Sequence, residues 1–579
     1  MADKASRRRL RLAAVLVIVA CVSPDRPASA QAGRAPAVDT VGVVAFERVT
    51  VVPMDRERLL ADQTVVVRGG RIAAMGPRRL VQVPAGAVRV DGRGRYLMPG
   101  LADMHVHPYN ADQFVNHLAH GVTTIAVLNG TRAVLGWRDQ VRRGEMLGPT
   151  IYTAGPSLDG VPAGNPLFLS TATPEAGRLA VRAIADAGYD FVKVYMSLTP
   201  ETYAAIIAEA RAARIPVVAH IPPRVTVDGV LSGGGVAAIA HAEEFFRERV
   251  DSARMPARMA EIVRGVKAAK LTVIPNMAAY VDYIRMIKDL PAVLADPEMR
   301  FASPAAYSEK IPSHNRSIRP NPKEFLAGAE RGLARFHLFT RALRDARVPM
   351  LLGTDTEIFG YAGDVVHEEL RQMVVAGLSP YEALVTGTRA AGEFIAANIR
   401  DAERFGTVAV GQRAELLLLA GNPLLSVDNA HRIEGVMVRG RWLPAPRLAE
   451  MRDSLAARHT PRRADVLRFD SLVTAGSLDE AAATFREMRQ AHAGSTPVSH
   501  VVMWVKAQRL LAANAAGAVR LLEWNAEMYP ELHSSHAELA RGYLAVGDTV
   551  NAVAAARRSL AIFPTHATAL DVLQRAGQK

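Results

Sequence analysis

A chain of 579 residues, 49% of them hydrophobic and 22% charged, has the apolar content to bury sizeable cores and the length for roughly three or four domains. That composition excludes a globally disordered protein. The formal charge of +13 could draw acidic polymers to the surface, but the arginines are scattered and no nucleic-acid motif accompanies them, so a solvated basic surface and no nucleic-acid partner are expected.

The first 30 residues read as an export signal. Lys4, Arg7, Arg8, Arg9 and Arg11 precede the apolar run Leu12–Val22, which is short for a bilayer span, and Ala28-Ser29-Ala30 offers a small-residue cleavage site. Ile18-Val19-Ala20-Cys21 is similar to a bacterial lipobox, which would place a lipid on Cys21. Both routes lead out of the cytoplasm, to the periplasm or to a lipid-anchored extracytoplasmic site. Cys21 is the only cysteine, so the exported chain has no disulfide, thiolate ligand or cysteine nucleophile.

Residues 43–98 alternate short apolar runs with turns, including the hairpin signal Arg68-Gly69-Gly70-Arg71, and read as a small β-domain. From Leu101 the rhythm becomes strand, helix, strand. Eight apolar runs follow: Leu101–His107, Val122–Leu128, Thr150–Ala154, Phe191–Met196, Pro216–His220, Val236–His241, Leu271–Pro275 and Pro349–Asp355. Eight such units predict a (β/α)8 TIM barrel over 99–402, with an insertion at 276–348 and a loop at 303–322 over its active face. Strand patterning returns in 405–443, which is expected to join 43–98 in one β-sandwich domain. Residues 445–460 read as a linker. Residues 465–579 are Ala-rich and helical, and Tyr529-Pro530 and Phe563-Pro564 stand 34 residues apart. That period resembles tetratricopeptide repeats and predicts an all-α tail open to a protein partner or to self-association.

The predicted strand ends collect the chemistry. His105 and His107 are two apart, so on a strand they share a face. Lys193 lies in the fourth run, His220 and His241 end the fifth and sixth, and Asp355 ends the eighth. Parallel barrels keep their active sites at this end. Imidazole and carboxylate suit zinc, and also manganese, cobalt or iron. A metal brings the pKa of water near neutrality, and Asp355 is placed both to bind metal and to take a proton.

Tyr96–His107, with these six residues and the returning segments Phe405–Pro423 and Gly435–Trp442, resembles the amidohydrolase superfamily, in its imidazolonepropionase and prolidase-like branch. The resemblance covers roughly 43–443. It implies two divalent metals: His105 and His107 hold one with Asp355, and His220 and His241 hold the other. A carbamylated Lys193 bridges them. It also implies hydrolysis of an amide, peptide-like and of the Xaa-Pro dipeptide kind, by a metal-activated hydroxide. Hydrolysis of a cyclic amide, or a binding scaffold whose repeats recruit a partner, are the alternatives. Two positions depart from the family. Glu415 stands where aspartate is usual and is expected to affect only the β-domain, and Pro222-Pro223 after His220 bears on the substrate pocket. Tyr195 and His314 are the candidate substrate contacts. His120, ending a helix before Gly121, and His367, near the start of the last barrel helix, read as structural.

Overall fold

The computed structural model describes residues 40–161, 163, 165, 167–248, 251–311, 322–356, 362–491 and 498–577. Residues 1–30, read as an export signal, with Cys21, and His314 lie outside the described residues.

Both flanks of the barrel region contribute to one nine-stranded sheet. Val44–Val51 pairs antiparallel with Leu60–Arg68, which turns through Gly69 and Gly70 into Arg71–Pro77. Both glycines have positive φ, 56° and 73°, as a tight hairpin turn requires. Tyr96–Pro99 pairs antiparallel with Leu416–Leu419, and the sheet runs on through Ile433–Val438 to Arg441–Pro444. Strand alternation sorts the apolar residues. Phe46, Val65, Leu97, Leu416, Leu418, Met437 and Trp442 form one cluster, whereas Met98, Leu417, Leu419, Val436 and Val438 join the main core beside the barrel.

Leu101–Val106, Val122–Val127 and Thr150–Thr153 form one parallel sheet. Val192–Val194, Val217–Ala219, Ala238–Ala240 and Thr272–Ile274 run parallel in another. Parallel bridges link Ala154 to Phe191, Val273 to Met350 and Val106 to Thr356. The architecture is of the TIM-barrel type. The last segment is held by isolated bonds, such as Leu351 N–H to Val273 O at 2.9 Å and Asp355 N–H to His105 O at 2.8 Å. Gly353 permits this close approach, because a Cβ there would stand 2.4 Å from the Ile274 side chain.

Two barrel helices start on the same device. In Pro174–Asp186 and Pro200–Ala213 the preceding threonine side chain accepts a helix N–H, proline fills the first turn and a glutamate follows it. The insertion is more helical than expected. It carries Met277–Leu294, Pro304–Lys310 and Pro322–Asp345, and Ser303 caps the second of these inside the stretch read as loop.

The expected linker is a helix, Ala445–Ala475. Its buried residues Leu448, Leu455, His459, Val466, Phe469 and Val473 recur at intervals of three, four and seven, one helical face, which polar flanking residues obscure in the sequence. Two helix pairs follow, starting at His500 and His533, and a single described helix starts at Ala567, so the starts are 33 and 34 residues apart. Among the described residues no helix is long and apolar enough to cross a membrane.

Glu415 reaches beyond its sheet. Its carboxylate accepts hydrogen bonds from Thr124 and Thr150 on the second and third barrel strands, both at 2.7 Å, and pairs with Arg413 at 2.8 Å. The extra methylene over aspartate lets a residue beside the flanking strand Leu416–Leu419 pin the barrel strands, so its effect is not confined to the β-domain.

Candidate metal centre

The structure brings His105, His107, Lys193, His220, His241 and Asp355 to one end of the barrel. His105 Nε2 and His107 Nε2 stand 3.1 Å apart, and Asp355 Oδ1 lies 3.3 Å from the first and 3.0 Å from the second. The His105 and His241 rings meet at 4.8 Å between centroids, and those of His220 and His241 at 4.7 Å. One donor atom each from His105, His241 and Asp355 lies within 4.8 Å of the others, a spacing that a small side-chain adjustment could close around an ion. His241 and Asp355 have positive φ, 73° and 59°. Non-glycine residues hold that region only where their surroundings enforce it, and such strain clusters at functional sites.

Burial sets the electrostatics. It drives His241 down to about 3 and lowers His220, so both present neutral imidazole at neutral pH. Burial works to raise Asp355, but His107, His241 and His220 hold its carboxyl below the usual range. Burial pushes Lys193 down to about 8 against the pull of Asp355, Glu244 and Glu243. Its Nζ is enclosed and has no hydrogen-bond partner.

A supporting layer was missed from the sequence. Glu244 accepts from His220 Nδ1 at 2.7 Å and from Ile221 N–H at 3.1 Å, and Arg247 clamps it at 2.7 Å. Asn276 Oδ1 lies 3.2 Å from His105 Nδ1 and accepts the His241 N–H at 3.2 Å. Asp103 accepts from Thr354 Oγ1 at 2.6 Å, Thr354 N–H at 3.1 Å and His105 N–H at 3.2 Å, tying the first strand to the segment that carries Asp355. Such partners fix the rings of metal-binding histidines. One legible signal was available: the acidic pair Glu243-Glu244 stands two and three residues after His241.

Tyr195 edges against His220 at 4.3 Å between centroids and meets Phe168 at 4.4 Å. Burial pushes its hydroxyl up to about 12, so it stays a donor. His117 is buried in the helix Phe114–Ala119, outside this group.

The amidohydrolase family matches residues 96–443. The chain belongs to that family. It is 37% identical over 125 residues to an adenine deaminase of Deinococcus radiodurans, a match covering 20% of this chain and 22% of that protein. The chain thus aligns with about a fifth of that relative. A solved structure from Bifidobacterium longum, assigned as a prolidase, is 25% identical with a TM-score of 0.55, over 72% of this chain and 99% of that one. A Xaa-Pro dipeptidase with methionine in its active site shares the fold at 17% identity and a TM-score of 0.53, over 70% of this chain and all (100%) of that one.

Proposed function

We propose that this protein is an exported metal-dependent hydrolase that cleaves the amide bond of peptide-like substrates, with Xaa-Pro dipeptides first among them. The observation that carries this reading is Lys193: a buried amine without a hydrogen-bond partner, among the four histidines and the aspartate of a candidate metal centre. Its neutral form can add to CO2, forming an N–C bond and releasing one proton, and the carbamate supplies two oxygens for two cations. The family and the prolidase-assigned neighbour support the substrate class.

His105, His107 and Asp355 would hold one ion, His220 and His241 the other, and carbamylated Lys193 would bridge them. Bound divalent metal, zinc by this donor set, supplies a Lewis acid for the carbonyl oxygen and acidifies water. The remaining work falls to the chain. Glu244 and Asn276 orient the imidazoles. Asp355 takes a proton from the attacking water and returns it to the leaving nitrogen. Tyr195 donates to the substrate carboxylate or to the developing oxyanion.

The three parallel bridges support a single closed (β/α)8 ring over 99–402. The shared sheet supports one β-sandwich domain from 43–98 and 405–443, and the recurring helix pairs support tetratricopeptide-like repeats in the tail. Export rests on residues 1–30.

The test is metal analysis with hydrolysis of Xaa-Pro dipeptides and a cyclic-amide panel. Dipeptide turnover that chelation abolishes and zinc restores is expected. Full activity in metal-free protein would overturn the reading, and turnover of cyclic amides alone would replace the substrate. Lys193→Ala should bind one ion fewer; unchanged stoichiometry removes the bridging carbamate.

A further inference from the structure

Outside the barrel centre, three more histidines meet from distant stretches. His120 ends the helix Phe114–Ala119, His367 lies in the first turn of Val365–Val375, and His431 closes the 3-10 helix Val427–His431 beside the flanking sheet. The His120 and His431 rings lie within 11° of parallel at 5.5 Å between centroids, and His367 stands 4.5 Å from His431. One nitrogen of each lies within 4.8 Å of the other two. His120 and His367 are buried, and His431 is exposed.

Hydrogen bonding fixes where a lone pair points. His367 Nε2 is 3.0 Å from the carbonyl oxygen of His120. A carbonyl only accepts, so Nε2 carries the proton and Nδ1 is bare. That Nδ1 is buried without a hydrogen-bond partner, as is Nδ1 of His120, whose Nε2 faces Glu298. Buried ring nitrogens are ordinarily paired. A ring N–H given to a carbonyl, with the opposite nitrogen bare, is the arrangement of a metal-binding imidazole. Carboxylates flank the group: Glu298 Oε2 is 3.4 Å from His120 Nε2, and Asp364 Oδ1 is 3.8 Å from its Nδ1. The nearby cations are engaged, Arg371 with Asp428 and Glu368 and Arg452 with Glu298.

We propose that His120, His367 and His431, with a carboxylate from Asp364 or Glu298, form a second, structural site for a divalent transition-metal ion of the zinc type. Three imidazoles and one carboxylate meet the four-coordinate preference of zinc. Tetrahedral coordination needs nitrogens about 3.4 Å apart, and the surface ring of His431 has room to turn inward. The ligands come from the helix after the first barrel strand, the helix after the last barrel segment and a loop of the flanking sheet. An ion here clamps the sheet to the barrel and takes no part in turnover.

The test uses the full chain carrying His107→Ala, His220→Ala and Asp355→Ala, which removes ligands from both barrel positions. After chelation it is titrated with Co2+ and then Zn2+. One Co2+ with tetrahedral absorption bands, displaced by zinc and lost on adding His431→Ala, is expected. In the otherwise unaltered protein, His431→Ala should lower bound zinc by one ion and leave hydrolysis unchanged. Equal metal content with and without His431→Ala in either background overturns the site. A protein inactive on every amide but binding this ion would sink the proposed function and leave this inference standing.

Discussion

Lys193 is a charge that burial works against, and its chemistry depends on which form burial leaves. With the amine pushed down to about 8, the neutral fraction grows roughly tenfold per pH unit below that value and levels off above it. Reconstitution of metal-free protein with zinc at a fixed concentration of dissolved CO2 should therefore accelerate up to about pH 8 and then flatten. A rate indifferent to pH would contradict a reacting Lys193. Glu244 is the residue that steadies His220. Burial acts to raise its carboxyl, but His220 and Arg247 hold it well below the usual range. Its folded-state pKa is depressed, so its stabilising contribution is fully present above its ordinary value of about 4.3 and is lost as pH falls towards the folded one. Glu244→Gln removes the charge and keeps the shape. Metal affinity should fall roughly 10- to 100-fold, read by competition with a chromophoric chelator.

At the scale of elements, the helix Ala445–Ala475 decides how the tail is attached. His459 lies with Nδ1 3.2 Å from the Phe301 carbonyl and Nε2 3.4 Å from Asp112, so this helix grips both the insertion and the segment after the first barrel strand. Leu455 is fully buried on the same face. Leu455→Ala should cost about 2–5 kcal/mol by transfer and cavity terms. A lowered Tm with unchanged metal content is expected, and an unchanged Tm would show that the helix does not dock. The sequence hid the helix because its apolar face is a narrow stripe within an Arg-rich segment.

For the whole molecule, the helical tail is built into the barrel's surface. Tyr109, two residues beyond His107, donates to Glu309 at 2.6 Å, and Ser499 at the start of a tail helix bonds the same carboxylate. At the other edge, Ala567–Arg575 lies against Leu169–Ser170, beside the Phe168 that touches Tyr195. Phe563 joins the main core. A cut at 476 keeps the docked helix and removes the rest. Under the proposed function, the shortened protein should keep metal binding and dipeptide turnover, lose thermal stability and accept longer peptides. An unchanged substrate range would show that the tail does not border the mouth.

What the sequence by itself determined is local. Two-residue spacing puts His105 and His107 on one face, and parallel strands must end together, so His220, His241 and Asp355 could be assigned to one end from their positions in the apolar runs. Thr-Pro-Glu started two helices for reasons contained in those three residues. The tertiary structure decided what distance along the chain conceals. Asp103 meets Thr354, Glu415 crosses to the barrel, and His120, read as a helix end, meets His367 and His431. Spacing rules describe one element at a time, whereas a buried polar atom finds its partner only when separate elements pack and exclude water.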